Sequence, residues 1–332
     1  MSADIACFGE LLLRFTTPGN ERLGQGNQFT VHFGGAEANV AVSLAQFGHS
    51  VDMVSAIADN PLGASIVSGL RAQGVGTDKI RAEDGRMGIY FLETGAVTRP
   101  SRIVYDRAAS VFALSEPTSF DWSSLLGGVG LVHMSGITPA TGPGPAAAAQ
   151  ALANYCADND LDFSFDGNYR EALWKVWAGD GPAILRDILS CATIAFINER
   201  DIALLLATPA EDRQTAINRA FAAFPRLQTI ACTRRGQSSV INQTLLGEIY
   251  TRDGVTTSRE YSLEGVVDRI GGGDAFAAGI LHCLQAHKTH DYAVEFATAA
   301  SVIKHSIPGD FNLTSVGEVE DAMKDGGLDV RR

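Results

Sequence analysis

An α/β fold is predicted for this 332-residue chain, with a mostly parallel central sheet, helices on both of its faces and a small β-sheet beside it. Three observations predict it. Short apolar runs bounded by turn residues alternate with helical patterns along most of the chain, as parallel strands buried on both faces require. Two stretches, 11–33 and 87–107, instead show period-two alternation with no long helix, the pattern of a half-exposed sheet. Glycine is in excess at 35 residues, and part of that excess lies in two turns that lead into helices.

The elements follow in order. Ile5–Phe8 is an apolar strand closed by Gly9-Glu10. Glu37–Phe47 has apolar residues on nearly every side, which predicts a buried helix stopped by Gly48. Val51–Ile57 is a strand, and Asp59-Asn60-Pro61 supplies a cap and a first-turn proline for a helix through Leu70. In the second β-type stretch, Gly88-Ile89-Tyr90-Phe91-Leu92-Glu93 and Arg102-Ile103-Val104-Tyr105 are too polar on one face for central strands. With 11–33 they predict a small antiparallel sheet at the edge of the core, a lid. Leu131–Met134, Leu161–Phe165, Thr193–Ile197 and Leu227–Cys232 are further short strands, and Ala146–Ala149 is a run of strong helix formers. Without a linker, repeat or low-complexity segment, the expectation is one domain over 1–332, with the lid contributed by about 11–33 and 87–107.

Composition excludes whole classes of function. Lys plus Arg number 26 and Asp plus Glu 38, a net charge of −12, whereas nucleic acids and anionic membranes demand a basic footprint. A hydrophobic fraction of 45% with 19% charged residues excludes general disorder. Cys7, Cys156, Cys191, Cys232 and Cys283 are scattered with no C-x-x-C pair, which argues against a zinc cluster or disulfide framework. No basic leader opens the chain and no apolar run approaches membrane-spanning length, so a soluble cytoplasmic protein is expected. His133, His282, His287, Trp174 and Trp177 form no ligand motif and are assigned to packing or solvent.

The sharpest motif is Gly271-Gly272-Gly273-Asp274, which runs directly into an apolar helix. Backbone N–H groups of such a turn approach an anion closely, and the helix N-terminus favours negative charge. Asp274 would repel a phosphate that was merely bound. The conflict disappears if its carboxylate takes the proton of a hydroxyl attacking phosphorus while the glycine amides hold the developing charge. Taken alone, the motif also reads as a flexible turn with Asp274 as its N-cap. It is not a Walker loop, since Gly-Lys occurs nowhere, and it lies too late in the chain for a dinucleotide fingerprint.

A second motif, Gly34-Gly35-Ala36-Glu37-Ala38-Asn39, opens the first helix. Its glycines permit close approach of a small ligand, and Asn39 can hydrogen-bond hydroxyls; a plain strand-to-helix turn is the alternative. Three apolar strands end in polar residues, Asp166, Asn198 and Thr233, and a parallel sheet presents ligands at such ends. Arg107 and Arg170 are the informative charges. Two arginines converging on a ligand site in so acidic a chain would serve an anionic group, and the guanidinium fork suits a carboxylate. Tyr105 and Arg107 are two apart and share a face if the strand continues.

With these two motifs at its two ends, the chain resembles the ribokinase/PfkB family of sugar kinases over nearly its whole length. Within that family, Gly34-Gly35-Ala36-Glu37, His133–Pro139, Asp166-Gly167-Asn168-Tyr169-Arg170 and Lys304–Asp310 are similar to the kinases of 2-keto-3-deoxygluconate. The resemblance implies a ribokinase-like fold, ATP with Mg²⁺, and transfer of the γ-phosphoryl group to give 2-keto-3-deoxy-6-phosphogluconate. It assigns the substrate to Gly34, Gly35, Asn39, Tyr90, Tyr105, Arg107, Asp166, Asn168 and Arg170, with Asp106 as the alternative to Arg107. It assigns the nucleotide to Asn198, Thr233, Arg235, Gly236, Gly271 and Gly273. It implies a homo-oligomer joined through the lid, and it leaves a monovalent cation open. A fructokinase or ribokinase of the same family is the first alternative, and a non-catalytic sugar- and nucleotide-binding regulator the second.

Two departures stand out. The family's Asn-x-x-Glu, whose acid supports magnesium, is here Asn198-Glu199-Arg200-Asp201, so the shorter Asp201 would act through water. Arg269 replaces a smaller residue common at its position.

Overall fold

The strands, in chain order, are β1 (Ile5–Phe8), β2 (Leu12–Thr16), β3 (Thr30–Gly34), β4 (Val51–Ala58), β5 (Ile80–Glu83), β6 (Gly88–Glu93) and β7 (Arg102–Asp106). They continue with β8 (Leu131–Ser135), β9 (Asp162–Asp166), β10 (Ile194–Phe196), β11 (Thr229–Gln237), β12 (Gln243–Thr251), β13 (Gly254–Thr257) and β14 (Tyr261–Leu263). The structure is a computed structural model that describes residues 4–209, 212–237 and 243–324.

The larger sheet has the order β13-β12-β11-β10-β9-β8-β1-β4-β5, with β14 also paired to β12. Every pairing from β11 to β5 is parallel, as the alternation of strands and helices predicts. At the far edge β12 runs antiparallel to β11, β13 and β14. The parallel strands are apolar throughout because both of their faces are covered: Ile5, Cys7, Leu131, Val132, Phe163 and Ala195 are all fully buried. Under one face, Phe8 packs edge-on to Phe120 and Trp122 with ring centroids 5.0 and 4.9 Å apart. The helix Pro61–Ala72 starts where expected, with Asn60 Oδ1 accepting from Leu62 N and Gly63 N.

The smaller sheet, β3-β2-β6-β7, departs from the expected antiparallel arrangement. Its outer pairs are antiparallel, but the central pair β2–β6 is parallel, with Leu12 opposite Gly88. The reason is topological. The chain leaves the larger sheet twice in the same direction, and β4, a helix and β5 supply the long crossover that a parallel pair needs. A second departure concerns β11, which does not end at Cys232 but continues to Gln237 as one arm of a hairpin with β12. Among the described residues, no helix is long and apolar enough to cross a membrane.

Candidate active site

A cavity of about 470 Å³ lies between the smaller sheet and the carboxyl ends of β9, β10 and β11. Leu12, Tyr90 and Tyr105 line it from the smaller sheet; Asp166, Asn198 and Thr233 line it from the strand ends. Gly271, Gly273 and Asp274 form a further part of the wall.

The helix Gly272–Gln285 begins at Gly271, whose φ of 81° is left-handed, and no side chain caps it. A Cβ at Gly271 would stand 2.2 Å from the Asp310 carbonyl oxygen, so both conformation and space demand glycine. Asp274 is therefore not the N-cap. It sits in the first turn, and its Oδ2 accepts from Asn39 Nδ2 at 2.6 Å. Burial pushes the Asp274 carboxyl up to about 6, against the opposing pull of that hydrogen bond and of Arg170. Asn39 belongs to the helix Ala36–Gln46, whose N-cap Gly35 has φ 143° and leaves no room for a Cβ beside the Glu10 carbonyl. The two glycine turns thus bring together residues 235 positions apart. The side-chain amide oxygen Oδ1 of Asn39 is buried with no partner among the described residues.

On the side of Asn39, the tyrosines and the arginines behave unequally. Tyr90 OH donates to Asp310 Oδ2 at 2.7 Å. Arg107 lines the cavity, but its Nε donates to buried Glu10 at 2.6 Å and a second guanidinium nitrogen binds the same carboxylate. The expectation that two arginines present free charge is corrected here: turning Arg107 away would strand a buried Glu10, which costs several kcal/mol in comparable pairs. Asp106 is exposed, pairs with Arg86 and does not line the cavity. Arg170 is exposed at the cavity wall, and its Nη1 donates to the Tyr169 carbonyl at 3.1 Å. Asn168 donates to Ser135 Oγ at 2.8 Å from a left-handed backbone, φ 31°. Asp166 is pushed up to about 8 by burial and by the neighbouring Asp274 and Asp201.

At the ends of β10 and β11, Asn198 and Asp201 cap the helix Glu199–Leu205 reciprocally: Asn198 Oδ1 accepts from Arg200 N and Asp201 N, and Asp201 Oδ2 from Asn198 N. Both also line the cavity. Four expected residues do not. Gly34 is packed against Asp310 and Leu12, and Gly272 against the His305 ring. Gly236 faces the Thr244 side chain across the hairpin, and Arg235, on the same extended strand, donates to His305 Nε2 at 3.0 Å. The continuation of β11 carries these last two past the cavity.

The family model for pfkB family carbohydrate kinases matches residues 2–312, nearly the whole chain. This chain belongs to that family. The kinase is 27% identical over 332 residues to a 2-dehydro-3-deoxygalactonokinase of Haloferax volcanii, with 100% of each chain covered. It is 33% identical to the crystal structure of a 2-dehydro-3-deoxygluconokinase of Thermotoga maritima, with a TM-score of 0.90 over 97% of this chain and 99% of that one. An E. coli protein of ribokinase type, 17% identical with a TM-score of 0.81 over 97% of this chain and 99% of that one, was crystallised with ATP and Mg²⁺. The fold is ribokinase-like, and the activity is that of an ATP-dependent carbohydrate kinase.

The kinase also holds groups that reading the sequence did not place in the site. Glu37, buried in the first helix and pushed up to about 7, accepts from Ser135 N at 2.9 Å and Thr138 Oγ1 at 2.5 Å. Asp310, pushed up to about 6 by burial, joins Tyr90 to Arg14. Both lie in segments that carried the family resemblance, which was the one available signal. His133 is buried and bonded to Ser164 Oγ at 2.9 Å, and all five cysteines are buried and free.

Proposed function

We propose that this kinase phosphorylates a 2-keto-3-deoxy sugar acid, with 2-keto-3-deoxygluconate as the preferred substrate and its 6-phosphate as product. The observation that carries the reading is Arg170, an exposed cavity cation beside Asp166 and Asn168 that forms no salt bridge with an acid among the described residues and acts on Asp166, Asp201 and Asp274 only through its charge. A carboxylate on the substrate completes it; a neutral ketose does not. The galactonate epimer is the second reading, favoured by the full-length match to the Haloferax enzyme. The two acids differ at one carbon, and Arg170 reads a group that both share.

Asp274 acts as general base. Held by Asn39 and ionised near neutrality, it takes the proton of the sugar hydroxyl as oxygen bonds to the γ-phosphorus and the bond to the departing ADP breaks. The unpartnered Oδ1 of Asn39 accepts from a second sugar hydroxyl. Amides of the turn 271–273 receive the developing phosphoryl charge. Asn198 and Thr233 line the nucleotide side. Among the described residues no three His, Cys, Asp or Glu side chains converge as a ligand set. Magnesium, which keeps its waters and is held through substrate phosphates plus one or two carboxylates, would be held here by Asp201 and, with its proton displaced, by Asp166. The ion supplies charge neutralisation between the phosphates.

Assay of the purified protein with ATP and each of 2-keto-3-deoxygluconate, 2-keto-3-deoxygalactonate, fructose and ribose tests the reading. The two acids should be used far better than either neutral sugar, and preference for fructose or ribose would overturn it. Two further points belong to the same proposal. On the side of the smaller sheet away from the cavity, Val31 and Val104 are exposed, with Phe29 packed beside them on Phe15 and Phe91, an apolar face suited to pairing with a second copy. Light scattering that finds only the 35.2 kDa species removes that dimer. ATP as donor and five free cysteines suit a reducing, cytoplasmic setting.

A further inference from the structure

The glycine turn carries a cation that the mechanism above does not use. Asp268 turns its carboxylate to Arg14 and to the amides of Ile270 and Gly309. The next residue, Arg269, is exposed and lines the cavity beside Gly271, Gly273 and Asp274. Among the described residues no acid or carbonyl pairs with it.

Arg269 has a second cation for a neighbour. The Arg235 guanidinium donates to His305 Nε2, while His305 Nδ1 lies 2.6 Å from the Ser301 carbonyl and donates to it, which fixes the neutral tautomer. Burial first, and the charge of Arg269 after it, hold Arg235 below its ordinary value, and Arg269 acts on His305 in the same sense. Two guanidinium groups that feel each other with no acid between them are unfavourable in isolation. Among the described residues neither forms a salt bridge with a carboxylate, although the chain carries a net charge of −12. A multiply charged anion at this point removes the repulsion.

We propose that Arg269 is a catalytic residue: its guanidinium binds the oxygens of the migrating phosphoryl group, while Arg235, outside the cavity and braced by His305, adds positive charge behind it. The inference rests on the reading of the glycine turn as the phosphate site. Bond changes stay those already given: sugar oxygen to γ-phosphorus forms, γ-phosphorus to bridging oxygen breaks, and the proton goes to Asp274. Arg269 stays protonated and supplies N–H donors and charge as negative charge spreads over the phosphoryl oxygens.

The test compares wild type with Arg269→Gln and Arg269→Lys. In the glutamine variant kcat should fall about 10²–10³-fold, the loss typical of one removed donor to a developing oxyanion. KM for the sugar acid should change little, and the lysine variant should recover part of the rate. Affinity for MgADP with tetrafluoroaluminate, which mimics the phosphoryl group in transit, should drop by a similar factor in the glutamine variant. Affinity for MgADP alone should hold, and so should the melting temperature. An unchanged kcat overturns the inference; so does equal weakening of MgADP with and without fluoroaluminate, or a rate loss that follows a lower melting temperature. Wild-type turnover separates the two claims: if wild type transfers phosphate and the variant matches it, the inference alone fails. If wild type transfers none, the reading of the turn fails with it.

Discussion

Asp274 takes its reactivity from opposed surroundings. Burial raises its affinity for a proton, while Asn39 and Arg170 favour the charged form, and the balance lies at about 6. A base with that value is mostly ionised at pH 7 yet still strong enough to accept a proton. The rate should therefore fall as pH drops through about 6, where Asp274 protonates. Asp274→Asn keeps the shape but cannot take the proton, so kcat should fall about 10²–10⁴-fold with sugar affinity retained and the acidic limb gone. Turnover equal to wild type in this variant refutes the assignment. Arg170→Ala should raise KM for the sugar acid roughly tenfold to a hundredfold, for a lost charged partner worth about 1.5–3 kcal/mol, with KM for ATP little changed. An equal loss with a neutral ketose would make Arg170 structural. Arg107 teaches the limit of sequence reading at this scale. Its residue type and its place beside Tyr105 point to the cavity that it lines, but its charge is cancelled by Glu10, 97 positions away. No local pattern carries that pairing.

At the scale of elements, the parallel strands were legible because an apolar run of four to six residues between turns has few other uses in so regular an alternation. The smaller sheet was legible as β structure but not in its pairing. Period-two alternation fixes which face is polar and says nothing of strand direction, which the crossover through β4 and β5 decides. The strand β11 outruns the apolar run Leu227–Cys232 for a related reason: hairpin pairing with Leu246, Leu245 and Thr244 keeps the polar Arg234, Arg235 and Gly236 extended. The glycine turn itself makes a prediction that separates its members. Gly271→Ala puts a Cβ 2.2 Å from the Asp310 oxygen at a φ of 81°, so the turn must shift. The melting temperature should fall, and displacement of the amides should cost about 10²-fold in kcat. Gly273 has no atom within 4 Å of its Cβ position, so Gly273→Ala should keep the wild-type melting temperature. Equal melting for the two variants would show that the close approach at Gly271 is not a constraint.

Across the whole molecule, the site depends on buried carboxylates gathered from distant parts of the chain around one cavity. Arg14 of β2 binds Asp268 at 2.6 Å and Asp310 at 3.1 Å, and Tyr90 of β6 binds Asp310, so the smaller sheet is fastened to the glycine turn. Asp166 has no such cation bound to it. Its carboxyl, raised from 3.8 to about 8, holds its proton in the folded chain at pH values where the unfolded chain has lost it. The folded state is therefore undisturbed by Asp166 below about pH 4, loses stability as pH rises from there, and reaches the full loss above about pH 8. Each pH unit within that window is worth at most about 1.4 kcal/mol, reduced by water entering the cavity. Asp166→Asn cannot ionise, so its melting temperature should exceed that of wild type at pH 9 and approach it at pH 5. Melting curves across this range decide the matter, because Asp201, Asp274 and Asp310 titrate in both proteins and cancel from the difference to first order. A gap that does not widen with pH would mean that Asp166 is ionised in the folded protein, balanced by Arg170, and that the cavity is better hydrated than its burial implies.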